Sequence, residues 1–133
     1  MSLSLRERLF GKTVSKEFSF KGVSISLRSL TEKENTEVWS KASPVAPATS
    51  VRTPMLARAI VRLDGSAPDQ HPDIIDATKA NLDGQTITRA FIIETLEKWI
   101  GELTVSEVDQ LWGFYNEVEK IDKANLGEVE KKA

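Results

Sequence analysis

Cysteine is absent from this sequence of 133 residues, and histidine occurs once, as His71. Without cysteine the chain has no disulfide bonds, no thiolate metal ligands and no thiol nucleophile, a composition that suits an intracellular compartment. A single histidine also excludes a metal site built from several imidazoles. Disulfide, thiol and multi-histidine metal chemistry are therefore excluded.

Long apolar runs are also missing from the sequence. No segment approaches the ~20 consecutive apolar residues that a membrane-spanning helix needs. At the N-terminus Arg6, Glu7 and Arg8 interrupt the apolar residues, so we expect no signal peptide. We expect no membrane partner.

The chain has little net charge of either sign. It contains 18 basic and 20 acidic residues, which gives a net charge of −2. Such a balance provides no global field to attract nucleic acid, and we expect no nucleic-acid partner. With 40% hydrophobic and 29% charged residues, the composition is typical of one soluble globular domain, which we assign to residues 1–133.

The common sequence signatures of catalysis are not found. There is no phosphate-binding glycine loop and no Gly-x-Ser-x-Gly nucleophile motif. His71 lies between Gln70 and Pro72 without catalytic partners nearby, which favours a solvent-exposed histidine. We therefore expect no catalytic residue, no cofactor and no enzymatic activity.

An acidic run leaves calcium binding as an alternative, because calcium takes oxygen ligands in loops. The run consists of Asp64, Asp69, Asp73 and Asp76. Its spacing differs from that of an EF-hand loop, so the preferred interpretation is aspartates that cap helices, with no metal site. Arg52, Arg58 and Arg62 fall on or near one predicted helix, where they can pair with acidic neighbours or contact RNA. Without a broader basic surface, the first alternative is preferred.

Residues 14–28 predict a β-hairpin, because apolar residues alternate with polar ones in two short runs. Lys21-Gly22 forms the turn, and Gly22 can supply a positive φ at its second position. A lone hairpin is marginally stable in water, so its apolar face must meet a helix or another chain. The residues on that face are Val14, Lys16, Phe18 and Phe20 of the first strand and Val23, Ile25 and Leu27 of the second.

Two capping boxes mark the starts of helices. The first is Thr31 with Glu34, and it begins a helix that continues to about Ala42. The second is Thr104 with Glu107, and it begins a long helix with a continuous apolar stripe. In the first helix we expect Val38, Trp39 and Ala42 to face inward. In the second we expect the same of Val108, Leu111, Trp112, Tyr115 and Val118.

The segment between these helices is punctuated by proline and glycine. Residues 43–53 are rich in proline and alanine and predict a loop. A helical part, 54–126, follows, in which Thr53 caps the first helix and Asp64-Gly65 ends it. A strand over residues 59–63 is the alternative to the end of that helix.

Further along, Pro72 can start a short helix, and another helix is predicted from Thr88 to Ile100. The short link to the last helix predicts an αα-hairpin, with the Trp99 and Trp112 rings dominating the core there. Residues 127–133 are polar and are expected to fray. The predicted fold class is α+β, an N-terminal β-hairpin followed by about four to five helices, with a mostly helical C-terminal half.

The hairpin offers the first candidate partner-binding residues, because it can present a strand edge or an apolar face. These are Phe18, Phe20, Val23 and Ile25. The alternative is that they cover the helices of their own domain. Phe114 is the second candidate, because it points about 160–200° away from the apolar stripe of the last helix. An outward phenylalanine is a possible contact for another protein.

Three segments together form a recognisable order: the strand and capped helix of Val23–Glu34, an apolar segment that ends in Asp64-Gly65, and the helix of Leu103–Val118. Over residues 14–121 this order resembles the tail assembly chaperones of long-tailed bacteriophages and related small tail or baseplate assembly proteins.

The resemblance implies a non-enzymatic protein of the host cytoplasm. Such a protein binds the tape-measure protein, keeps its long apolar helices soluble and helps to recruit tail-tube subunits. The alternative is a structural virion component, such as a minor tail, baseplate or neck subunit. The resemblance leaves homo-oligomer formation open.

Overall fold

The computed structural model describes residues 4–5 and 15–132, and beyond residue 124 it describes the backbone alone. These residues form an α+β fold, as predicted. The strands are β1 (Ser15–Phe20), β2 (Val23–Arg28) and β3 (Ile60–Leu63). The helices are α1 (Glu32–Ser40), the single turn α2 (Pro47–Ser50), α3 (Arg52–Ala59), α4 (Pro72–Lys79), α5 (Arg89–Gly101) and α6 (Val105–Lys132).

The predicted hairpin is confirmed from Ser15 onward, whereas Val14 lies outside the described residues. Its two-residue turn has positive φ at both positions, 52° at Lys21 and 78° at Gly22, as the twist of a hairpin favours. The Lys21 Nζ lies 2.6 Å from the Glu107 Oε2. This ion pair connects the hairpin turn to the first turn of α6.

The third strand was predicted as the end of a helix, with the strand as the alternative. The helix ends at Ala59, and β3 pairs antiparallel with β2 in the order β1-β2-β3. The helix prediction is therefore wrong from Ile60 onward. β-Branched residues at 60 and 61 find an open edge on β2, and that pairing overrides the local helical signal.

The helix before β3 also starts earlier than predicted. Its N-cap is Val51, and Thr53 and Pro54 lie inside its first turn. Residues 47–50 form a helical turn with Pro47 at its first position, so the predicted 43–53 loop is confined to its first few residues. Proline at a first helical position leaves no extra hydrogen bond unmade, and this explains a helical turn inside a proline-rich segment.

Both predicted capping boxes are present. Thr31 Oγ1 accepts from Glu34 N at 3.2 Å, and Thr104 Oγ1 accepts from Glu107 N at 3.2 Å. The helix predicted from Thr88 is also confirmed, with Thr88 as its N-cap. The backbone of α6 is helical to Lys132, and the fraying predicted for residues 127–133 stays a prediction.

The hydrophobic core lies between the inner face of the sheet and the helices. Val38 is buried as predicted, but Trp39 is 45% exposed because it lies about 100° further around α1. Among the side chains that the structure describes, Tyr115 is the largest that is fully buried, while Trp99 and Trp112 are only partly buried against the core. The expectation that the two tryptophans dominate this half of the core is therefore wrong.

The long helix α6 packs mainly on the hairpin strands and on α3. Only residues 102–104 separate α5 from α6, as the short link of an αα-hairpin requires. Within the described residues, however, α5 makes its main contacts with α3 and α4. The two helices therefore share a link and both pack on α3, but α5 otherwise packs on α4 and α6 on the hairpin strands.

Alanine substitution at two glycines should separate backbone strain from helix propensity. A Cβ at Gly22 or Gly113 would meet nothing within 4 Å, so packing changes in neither case. Gly22→Ala should lower the free energy of unfolding by about 1–2 kcal/mol, because φ is positive there. Gly113→Ala, inside α6, should raise it by about 0.5–1 kcal/mol. Urea denaturation measures both, and equal effects at the two positions would contradict the assignment of the turn.

Candidate functional site

A groove of about 920 Å³ opens between α1, α3 and α5. Both α1 and α5 pack on α3, but within the described residues they make little direct contact with each other. α3 therefore forms the floor of the groove, and the other two helices form its walls. We call this feature the interhelical groove.

The walls are built by four-residue spacing on each helix, which places side chains on one face. On α1 the groove is lined by Lys33, Glu34, Glu37 and Val38, and by Lys41 at its C-terminal end. On α5 it is lined by Arg89, Ala90, Ile93, Glu94, Glu97 and Lys98. Apolar side chains lie at the bottom of each wall, and charges of both signs line the rims.

Arg58 connects the two walls from the floor. Its side chain is 9% exposed, and its Nη1 donates to the Pro54 carbonyl at 3.0 Å. Nη1 also lies 3.3 Å from Glu97 Oε1 on α5, and Nη2 lies 3.4 Å from Glu37 Oε1 on α1. A buried guanidinium needs such anions, because an uncompensated buried charge is strongly unfavourable. One side chain therefore fixes α1 and α5 at the width of the groove.

Glu34 anchors one end of the groove to the sheet. Arg28 of β2 binds it with two hydrogen bonds, from Nη1 to Oε1 at 2.7 Å and from Nη2 to Oε2 at 2.8 Å. Thr31 N donates to the same carboxylate at 3.0 Å. Burial alone would raise the pKa of Glu34, but the bonds from Arg28 and Thr31 outweigh burial and lower that pKa to about 2. Glu34 is therefore a fixed anion at neutral pH.

Three lysines line the rims of the interhelical groove. In the part of the chain that the structure describes, Lys33, Lys41 and Lys98 make no ion pair. Arg89 lies 3.8 Å from a Glu34 oxygen that Arg28 already binds. Of the groove carboxylates only Glu94 lacks a basic partner among the described residues. The rims therefore carry an excess of unpaired positive charge.

The candidate partner-binding residues of the hairpin lie elsewhere, and the structure places most of them in the core. Phe18, Phe20 and Ile25 are 9%, 6% and 5% exposed, and Val23 is partly buried against the same cluster. The three buried side chains cover helices of their own domain, which was the alternative left open by the sequence.

Phe114 was expected to face outward, and that expectation is wrong. It is partly buried, and its ring stacks on Phe18 at a centroid distance of 4.4 Å with 15° between the planes. Because α6 lies across β1, a side chain on the flank of the Tyr115 stripe still meets the sheet. Phe114 therefore contributes to the packing of α6 on the hairpin.

Other polar residues singled out from the sequence have local structural partners. His71 is the N-cap of α4, where its Nδ1 accepts from Asp73 N at 3.2 Å; it was expected to be a plain solvent-exposed histidine. Asp64 Oδ1 accepts from Ser24 N at 3.0 Å and fixes the turn after β3 to the start of β2.

The arginine trio separates in the structure. Arg52 pairs with Asp109 of α6, and Arg58 pairs with the groove glutamates, so pairing with acidic neighbours is confirmed for both. Arg62 instead lies exposed on β3.

The sequence pointed to Arg58 but not to the interhelical groove. The available signals were the charges repeated every fourth residue at 33, 37 and 41 and one arginine within the buried stretch of residues 55–59.

The described residues include no group of three or more acidic, histidine or cysteine side chains placed to bind a metal ion. Among the same residues, no helix combines the length and apolar character needed to cross a bilayer. No model of a known protein family matches the chain, and neither a curated protein nor a solved structure does.

The lowered pKa of Glu34 predicts a loss of stability in acid. A pKa that lies lower in the folded chain than in the unfolded chain gives stability that is present above about pH 4.5 and lost towards pH 2. Glu34→Gln should therefore lower the stability at pH 7 and flatten its decline between pH 4.5 and 2. Urea denaturation across this range measures both effects.

Glu94→Gln provides the matched control, because Glu94 has no ion pair in the described residues. Glu107, whose pKa is also lowered to about 2 by the Lys21 and Thr104 bonds, should preserve part of the slope in Glu34→Gln. An unchanged slope in Glu34→Gln would contradict the assigned role of the Arg28–Glu34 pair.

Proposed function

We propose that this chain is a non-enzymatic assembly chaperone of phage tails, which binds the tape-measure protein and tail-tube subunits in the host cytoplasm. The observation that carries the proposal is the interhelical groove. Two helices that straddle a third leave a position where a further helix can lie against apolar side chains between charged rims. This suits a protein whose task is to bind exposed helices.

The order of elements gives further support. The strand and capped helix of Val23–Glu34, the apolar segment ending at Asp64-Gly65 and the helix of Leu103–Val118 together resemble the tail assembly chaperones. The capped helix within this resemblance is α1, one wall of the interhelical groove. The resemblance and the groove thus draw on the same segment.

The state of the carboxylates supports a binding role rather than acid–base catalysis. Glu37 and Glu97 are paired with Arg58, and the pKa values of Glu34 and Glu107 are lowered. A general acid at neutral pH needs a pKa close to the working pH. Glu34 and Glu107 therefore remain anions at neutral pH, and Glu37 and Glu97 hold Arg58 between two helices.

Co-expression tests the proposal. The tape-measure protein from the same genome should move from the insoluble to the soluble fraction when this chain is produced with it, and the two should copurify. We expect this higher solubility because the chain would cover the apolar helix faces of the tape-measure protein. An unrelated soluble protein of similar size and charge is the control. No change in solubility relative to that control would contradict the proposal.

Mass spectrometry of purified phage particles separates the chaperone from the structural alternative. A chaperone should be missing from mature particles, because it leaves when the tail tube assembles. A stable, symmetric copy number in the particles would show a structural subunit and contradict the proposal.

A further inference from the structure

We infer that the interhelical groove binds an acidic amphipathic helix of the partner protein, about two helical turns long at the contact. The inference rests on the proposed function and names the chemistry of the segment that such a partner must offer. It follows from the length of the walls, the positions of the unpaired cations and the composition of the floor.

The length of the walls sets the length of the contact. Lys33 and Lys41 are eight residues apart on one wall, and Arg89 and Lys98 are nine apart on the other. At 1.5 Å per residue both spans are about 12–14 Å, or slightly more than two turns of helix. A helix that crosses the groove along its length therefore meets basic side chains at both ends of the contact.

Basic side chains lie at both ends of the groove. Arg89 Nη2 lies 3.8 Å from Glu34 Oε2, so the starts of α1 and α5 lie at one end of the groove, beside Lys33. At the other end of the groove, Lys41 comes after Glu37 on α1 and Lys98 comes after Glu97 on α5. These are the two glutamates that Arg58 bridges. Lys33, Lys41 and Lys98 lack ion pairs within the described residues. Acidic side chains at both ends of a bound helix would give these lysines ion-pair partners.

Apolar surface lies midway along the α5 wall, beside the bridge that Arg58 forms. Ile93, four residues after Arg89 and five before Lys98, is partly exposed in the lining, and so is Pro54 on the floor. A bound helix should therefore place an apolar residue midway between its acidic residues. An acid–apolar–acid pattern at four-residue steps lies on one helical face, so the complementary surface is an amphipathic helix.

A nucleic acid is the other polymer that unpaired lysines attract. The groove argues against it, because Glu37, Glu94 and Glu97 also line the walls. A phosphate backbone carries a charge at every nucleotide and would meet these carboxylates, whereas a helix can place its acidic residues beside the lysines alone. Apolar surface next to a polar rim is typical of protein interfaces. The bound segment is therefore a protein helix.

Fluorescence anisotropy with designed peptides tests the inference on the full chain. The probe is a labelled helical peptide of about 20 residues, long enough to form a helix in solution. It has glutamates eight positions apart and a leucine midway. A second peptide keeps the glutamates but replaces the leucine with serine. A third probe is a labelled single-stranded oligonucleotide of random sequence.

The chain should bind the first peptide saturably. The combined substitution Lys33→Glu, Lys41→Glu and Lys98→Glu should weaken binding at least about tenfold, because each lost ion pair is replaced by repulsion. The matched control is Lys79→Glu, Lys120→Glu and Lys123→Glu, which makes the same charge change at exposed lysines outside the groove. At about 0.15 M salt that control should change the affinity less than about twofold, because distant charges are screened.

Three results would overturn the inference: equal weakening by both lysine triplets, equal affinity for the leucine and serine peptides, or tighter binding of the oligonucleotide. The substitutions are on exposed lysines, so circular dichroism should show that all variants fold.

Failure of the inference can be distinguished from failure of the proposed function. A soluble tape-measure complex that survives the groove substitutions contradicts only the inference, whereas peptide binding without any effect on the tape-measure protein contradicts only the proposed function.

Discussion

The geometry of the interhelical groove depends on a single buried cation. Arg58 projects from α3 and bonds to carboxylates on both walls, Glu37 at 3.4 Å and Glu97 at 3.3 Å. A guanidinium that is 9% exposed must find anions, and here the anions come from two helices that scarcely touch each other. The same contact therefore satisfies the buried charge and fixes the spacing of the walls. The groove is thus held open by a constraint of the fold.

Each wall of the groove also makes a contact with a neighbouring element outside the groove, and this contact supports the wall. At the start of α1 the Arg28–Glu34 pair ties the wall to β2. On the far side of α5, the hydroxyls of Thr78 and Thr95 lie 2.7 Å apart in the contact with α4. Binding surfaces on supported helices need little reorganisation when a partner arrives, which reduces the entropic cost of association.

Local signals in the sequence were sufficient for the hairpin, for both capping boxes and for the fold class, because each depends on residues a few positions apart. They failed where distant partners decide. Ile60 joins β2 only because that strand has an open edge 33 residues earlier in the chain. Phe114 turns inward because α6 happens to cross Phe18. The groove was missed for the same reason: Glu37, Arg58 and Glu97 become neighbours only after α1, α3 and α5 have packed.

Hydrogen–deuterium exchange on the complex with the tape-measure protein tests the central claim most directly. If a helix occupies the interhelical groove, amides of α1 and α5 should exchange more slowly in the complex than in the free chain, while those of β1 and β2 should be unchanged. Slower exchange confined to the hairpin, with α1 and α5 unaffected, would contradict the account and place the partner on the sheet instead.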